Sequence, residues 1–172
     1  MKLGSILPDA NLGWRNDFSY KQLSFGFMLS ARLGGIVISG TQAAMDYSGV
    51  SKVTADARNA GGVPVGGGIV VPAQKYYQLQ GRPKDYLTQY YTYNATNLRL
   101  REAYIAFNIP RKWLGNVVDL NISLTGKNLW MIYNKAPFDP ETIASTGNYA
   151  QGIDYFMLPS TRSFGFSIKA RF

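Results

Sequence analysis

From Ser163 to Phe172 every second residue is apolar: Phe164, Phe166, Ile168, Ala170 and Phe172 alternate with Ser163, Gly165, Ser167, Lys169 and Arg171. A period of two sends successive side chains to opposite faces of a strand, so the segment presents one apolar and one polar face. The pattern recurs in Leu12–Tyr20, where Leu12, Trp14, Phe18 and Tyr20 oppose Gly13, Arg15, Asp17 and Ser19. In Leu23–Leu33 the apolar set is Leu23, Phe25, Phe27, Leu29, Ala31 and Leu33. Around Arg101–Ile109 it is Ala103, Ile105, Phe107 and Ile109, and from Val118 to Trp130 it is Val118, Leu120, Ile122, Leu124 and Trp130. Strands are therefore expected near 12–20, 23–33, 99–109, 117–130 and 163–172. Each is close to the ~9–11 residues that a tilted strand needs to cross a bilayer.

Alternation alone also suits a soluble sandwich with one wet face. The connections separate the two. Lys21–Gln22 and the Pro110–Gly115 turn are short, whereas 34–97 and 132–161 are long, and short and long alternate strictly. Outer-membrane barrels have this asymmetry, with tight periplasmic turns and long external loops. With the C-terminus on the periplasmic side, both long connections fall outside. Tyr20 and Trp113 lie at the short turns, and Trp14, Trp130 and Tyr133 toward the other rim, as interface girdles require.

Composition agrees. Charged residues make up 16% and aromatics 14%, with 18 glycines, and a mean hydropathy of −0.13 accompanies no run of ~20 apolar residues, so a spanning helix is excluded. An all-β, antiparallel transmembrane barrel segment of five strands with long extracellular loops is the expected fold. The net charge of +8 comes from scattered residues such as Lys21, Arg32, Lys52, Arg99, Arg111, Lys127 and Arg171, without a basic run, and gives no nucleic-acid footprint. The chain has neither Cys nor His, which removes thiolate chemistry, disulfides, the usual general base and the commonest metal ligand. No nucleophile–base set, phosphate loop or cofactor motif is present, so no enzyme is expected. Met1–Leu7 has no apolar core of a secretory signal, and the expectation is that Met1 is not the start of the functional polypeptide.

The long connection contains expected helices at Thr41–Tyr47 and Ser51–Asn59, with Thr41 and Ser51 as N-caps, and at Pro72–Gln80. Gly61–Gly68 reads as a turn cluster. Its tyrosines Tyr76, Tyr77, Tyr86, Tyr90, Tyr91 and Tyr93 suit packing of the loop, contact with a partner, or contact with substrate. Asp139 and Glu141 flank Pro140, with Asp154 downstream; these carboxylates fit a turn or capping role better than Ca²⁺, because EF-hand spacing is missing. Glu102, Asp119 and Lys127 oppose the apolar sets and are expected on a polar barrel interior.

The series PDANLGW (8–14), FSYKQLSFGFMLSARLGG (18–35), VSKVTADARNAGGVPV (50–65), NLRLREAYIAFNIPRKW (97–113), LTGKNLW (124–130), FDPE (138–141) and YFMLPSTRSFGFSIKARF (155–172) resembles the C-terminal part of SusC/RagA-like TonB-linked outer-membrane proteins. The resemblance implies the last strands of a large, 22-stranded barrel in the outer membrane of a Gram-negative bacterium. It implies import of oligosaccharides or oligopeptides, with energy from the TonB complex acting through a plug outside this sequence, and a SusD-like surface lipoprotein as partner. The last strand resembles the signal read by the barrel-assembly machinery, carried by Phe164, Phe166, Ile168 and Phe172. Outer-membrane lipid would face the apolar set. The alternative is a soluble β-rich carbohydrate-binding module that uses Tyr86, Tyr90, Tyr91 and Tyr93.

Overall fold

The computed structural model describes all residues except 1, 84, 86, 146, 148, 149 and 172. Its strands are β1 (Ala10–Tyr20), β2 (Leu23–Leu33), β3 (Ile36–Ser39), β4 (Val63–Pro64), β5 (Val70–Val71), β6 (Thr92–Asn94), β7 (Asn97–Ile109), β8 (Asp119–Asn134), β9 (Ile153–Asp154) and β10 (Ser163–Arg171). The helices are α1 (Gly40–Ser48), α2 (Lys52–Asn59) and α3 (Ala73–Gln80). Two compact units divide the chain: the larger sheet is built from 8–34, 95–139 and 159–172, and a mixed unit from 1–7, 35–94 and 140–158.

The larger sheet has the order β1-β2-β7-β8-β10, and every pairing is antiparallel. Directly paired residues share a face, so the register converts sequence alternation into rungs. Phe18, Phe25, Ile105, Leu124 and Phe166 form one apolar rung across all five strands. Tyr20, Leu23, Phe107, Ile122 and Ile168 form the next. The stacked rings of Phe18 and Phe25, 4.9 Å between centroids, and the edge-on pair Trp14–Phe27 knit β1 to β2 on this face. Opposite lies the rung Asp17, Gly26, Tyr104, Thr125 and Gly165. Gly26 is required there: a Cβ would run into the Tyr104 ring and the Asp17 carboxylate. The absent side chain lets Tyr104 lie across β2 and donate to Asp17 Oδ1 at 2.8 Å.

One irregularity follows from the sequence. Leu98 and Leu100 occupy even positions, Ala103, Ile105 and Phe107 odd ones, and an uninterrupted β7 would turn one set to the wrong face. The structure inserts a bulge instead: Met28 pairs with Glu102 and Leu29 with Leu100, leaving Arg101 as the extra residue. On the other side Asn128, at φ 50°, and Leu129 take up the same slip. Both apolar sets then share a face, while Arg101 Nε donates to Ser30 Oγ on the polar side at 2.8 Å.

Strand bounds differ modestly from the sequence expectation. β1 begins at Ala10, β7 at Asn97, and β8 runs on to Asn134 because cross-strand partners continue beyond the segments of cleanest alternation. Leu33 pairs with Ala10, and Asn97 with both Arg32 and Asn134, so the long connections leave the sheet at one end. The other end has the two-residue Lys21–Gln22 turn and the turn after Ile109, with Arg171 of β10 opposite Asp119. In the latter, Asp119 accepts the Arg111 N–H at 3.0 Å and its Nε at 2.9 Å, a fork that pins the 3₁₀ turn Arg111–Trp113.

In the mixed unit, β3 pairs antiparallel with β6 and parallel with β9. The two long connections therefore fold together, since β9 belongs to the second and β3 to the first. The chain enters α1 directly from β3, which corrects the expected cap. Ser39, still extended at φ −95°, accepts the Gln42 N–H at 3.1 Å and is the N-cap. Thr41 sits inside the first turn and accepts the Phe156 N–H at 2.6 Å. Ser51 caps α2 as expected, by accepting from Thr54. Pro72 is the cap residue of α3, not a member of its first turn.

Candidate functional site

The feature with the clearest chemical consequence is the apolar face of the larger sheet. Phe25, Ile105 and Leu124, at the centre of the first rung, are 45%, 48% and 50% exposed. Phe164, Phe166, Ile168, Trp14 and Trp130 are more open still. Exposed apolar patches above a few hundred Å² mark an interaction surface, and this one crosses every strand of the sheet. The reverse face is polar, with Ser19 and Ser24 hydroxyls 3.1 Å apart and the Asn121 and Asn108 amides joined. Glu102, opposite Met28 and Lys127, lies on that face, as does Asp119, which the Arg111 fork engages. Among the described residues, the outer strands β1 and β10 each have one neighbour.

The residues suggested as an assembly signal take their places on this face. Phe164, Phe166 and Ile168 lie opposite Gly126, Leu124 and Ile122, and Phe172 is outside the described residues. Among the loop tyrosines, Tyr86 also lies outside them. Tyr90 is half exposed, in a 3₁₀ turn. Tyr91 is only 2% exposed, and its hydroxyl donates to Asp46 Oδ2 at 3.2 Å. That hydroxyl and the Gln42 amide, 2.8 Å from Asp46 Oδ1, satisfy a buried carboxylate. Tyr91 is thus a packing residue with no surface to offer a ligand. Burial, reinforced by the Asp46 charge, pushes the Tyr91 phenol far above its ordinary value of 10.0, and acts in the same direction on Tyr77 and Tyr93. A tightly packed glycine accompanies it: a Cβ on Gly81 would strike the Ala43 carbonyl and lie in tight contact with the Tyr91 hydroxyl.

Asp139 and Asp154, two of the loop carboxylates, have separate duties. Asp139 forms an ion pair with Arg99 in which both side chains are nearly buried, and it also takes hydrogen bonds from the Ser160 hydroxyl and N–H. Asn134 Nδ2 donates to the Phe138 carbonyl at 2.6 Å, so the FDPE segment is tied to the end of β8. Asp154 accepts from the Ser39 hydroxyl at 2.7 Å. Among the described residues no three carboxylates approach closely enough to hold a metal ion. The Arg99–Asp139 pair was invisible to sequence reasoning, since forty residues separate the partners and neither stands out locally. A cavity of about 210 Å³ lies among α1, α2 and α3, bordered by Asp46, Thr54, Arg58, Gln74 and Tyr77. Nothing in the helical segments announced it.

The chain is similar over 99% of its length to two curated proteins of Formosa agariphila. One is named TonB-dependent receptor P3, at 25% identity, and the other TonB-dependent receptor P26, at 27% identity. The chain spans 17% and 18% of their respective lengths. No family model matches it.

Proposed function

We propose, from the similarity to TonB-dependent receptors together with the open apolar face, that this chain is a β-barrel segment of an outer-membrane importer driven through TonB. The observation that carries the reading is the continuous apolar face across β1, β2, β7, β8 and β10. In water, a face of Phe, Leu, Ile and Trp left open costs about 25 cal/mol for each Å² that could have been covered. Against hydrocarbon the cost vanishes, and the polar reverse face then lines a wet interior. A soluble carbohydrate-binding module would need a second layer over these same side chains, which are open to solvent.

Further features support the finer reading of a SusC-like transporter. Sheet edges at β1 and β10 leave unpaired backbone groups, as further strands of a large barrel would require. Long connections at one end and tight turns at the other match an extracellular and a periplasmic rim. The well-packed mixed unit, with Tyr90 and Tyr93 in partly exposed positions, would meet a SusD-like lipoprotein or an oligosaccharide or oligopeptide in transit. Phe164, Phe166, Ile168 and Phe172 would serve recognition by the barrel-assembly machinery through strand addition.

Single cysteines test the membrane placement in outer-membrane vesicles. Phe25→Cys, Ile105→Cys and Leu124→Cys are expected to react with a membrane-soluble maleimide and resist a water-soluble one. Ser24→Cys and Ser123→Cys, on the opposite face, react with the water-soluble reagent through the barrel interior. Equal modification of both faces by the water-soluble reagent would refute the reading.

A further inference from the structure

We propose that the two tight turns of the sheet form a docking surface for anionic phospholipid headgroups. The inference rests on the membrane reading above and adds the chemistry of the lipid. At the first turn Tyr20 is 70% exposed and belongs to the apolar face, because it pairs with Leu23. The following residue, Lys21, folds back so that its ammonium lies 5.2 Å from the centroid of the Tyr20 ring. At the second turn Lys112 is exposed and precedes Trp113, also well exposed, and Val117 farther along the same turn is open too. The Trp113 ring sits 6.3 Å from that of Phe107, whose strand position pairs with Leu23 on the same apolar face. The turns are neighbours, since the Asn108 N–H donates to the Gln22 carbonyl at 2.8 Å. One end of the sheet thus carries two adjacent turns, each with an exposed aromatic ring near the apolar face and a lysine next to that aromatic residue in the chain.

Charge makes the surface selective. Arg111, in the second turn, is already paired with Asp119. Neither Lys21 nor Lys112 has a carboxylate partner among the described residues, so both ammonium groups are free to meet an outside anion. Amphipathic rings settle where acyl chains give way to headgroups. Lysine stems can run along that boundary while the charge reaches outward. What lies at that depth is the phosphate layer, and a headgroup with a net negative charge gains from both lysines while a zwitterionic one gains little. Rings alone would accept either lipid; the paired lysines supply the discrimination.

The test uses the complete protein in dodecyl maltoside micelles with every tryptophan except Trp113, Trp14 and Trp130 included, replaced by Phe, leaving Trp113 as the fluorophore. Brominated phosphatidylglycerol or brominated phosphatidylcholine is titrated in as a quencher. At low salt, half-quenching is expected at about 25-fold lower mole fraction of phosphatidylglycerol, from about fivefold per lysine. Lys21→Gln with Lys112→Gln should abolish that preference and leave quenching by phosphatidylcholine unchanged. About 0.5 M salt should reduce the preference without any substitution, which covers the case of a variant that fails to fold. Equal quenching by the two lipids at low salt would overturn the proposal while leaving the membrane placement standing. A preference that survives both salt and substitution would overturn it too. Absence of quenching by either lipid would remove the membrane placement as well.

Discussion

An arginine at Ile105 would enter the middle of the rung formed by Phe18, Phe25, Ile105, Leu124 and Phe166. Ile105 is about half exposed, at 48%, so in water its replacement removes little buried area and creates no buried charge. A substitution of that kind stays within about 0.5 kcal/mol. Against the hydrocarbon of a bilayer the same arginine costs about 2–4 kcal/mol near the midplane, about 30-fold to nearly 1,000-fold in the folded population. Ala106, the next residue, faces Ser24 and Ser123 on the polar side. An arginine there stays in a wet environment, and a change within about 0.5 kcal/mol is expected. Urea unfolding of the complete protein in phosphatidylcholine vesicles, followed by tryptophan fluorescence, measures both, with Ile105→Gln as the control for lost shape. Ile105→Arg should fall below Ile105→Gln and far below Ala106→Arg. If Ile105→Arg and Ala106→Arg lower stability equally, the face does not meet lipid and the argument from register fails.

Two other perturbations probe the interior. Gly26→Ala should destabilise the sheet by about 1–3 kcal/mol in the same unfolding assay, because the new Cβ displaces the Tyr104 ring from Asp17, whereas Gly165→Ala, with 4.0 Å to the nearest atom, should stay within about 0.5 kcal/mol. Tyr91 keeps its proton in the folded protein beyond the ordinary 10.0, so above that pH the unfolded chain holds fewer protons and stability falls as pH rises. The Tyr91 contribution is fully present below pH 10 and is lost above it. Tyr91→Phe should flatten that alkaline decline, seen by circular dichroism between about pH 9 and pH 12; an unchanged slope would place the titration elsewhere.

The sequence by itself determined which residues share a face, because the two-residue period is a property of each strand alone and needs no partner. Leu23, Phe25 and Phe27, or Phe164, Phe166 and Ile168, fall together in any extended chain. It also showed the unequal connections and the helical segments of the first of them, since caps such as Ser51 act within one turn. What only the tertiary structure decided are the matters of pairing. The phase slip between Leu100 and Ala103 is visible in the sequence, but its resolution through Arg101 on one strand and Asn128–Leu129 on the next depends on which strands meet and in what register. Ser39 replaces Thr41 as a cap because β3 runs straight into α1, and β3 exists only by pairing with β6 and β9. Asp139 is engaged by Arg99, and Tyr91 by Asp46, across separations of 40 and 45 residues. Local sequence encodes the faces because side-chain direction is set residue by residue. Burial and partnership are set by contacts between distant segments, whose energies appear only once the chain has closed on itself.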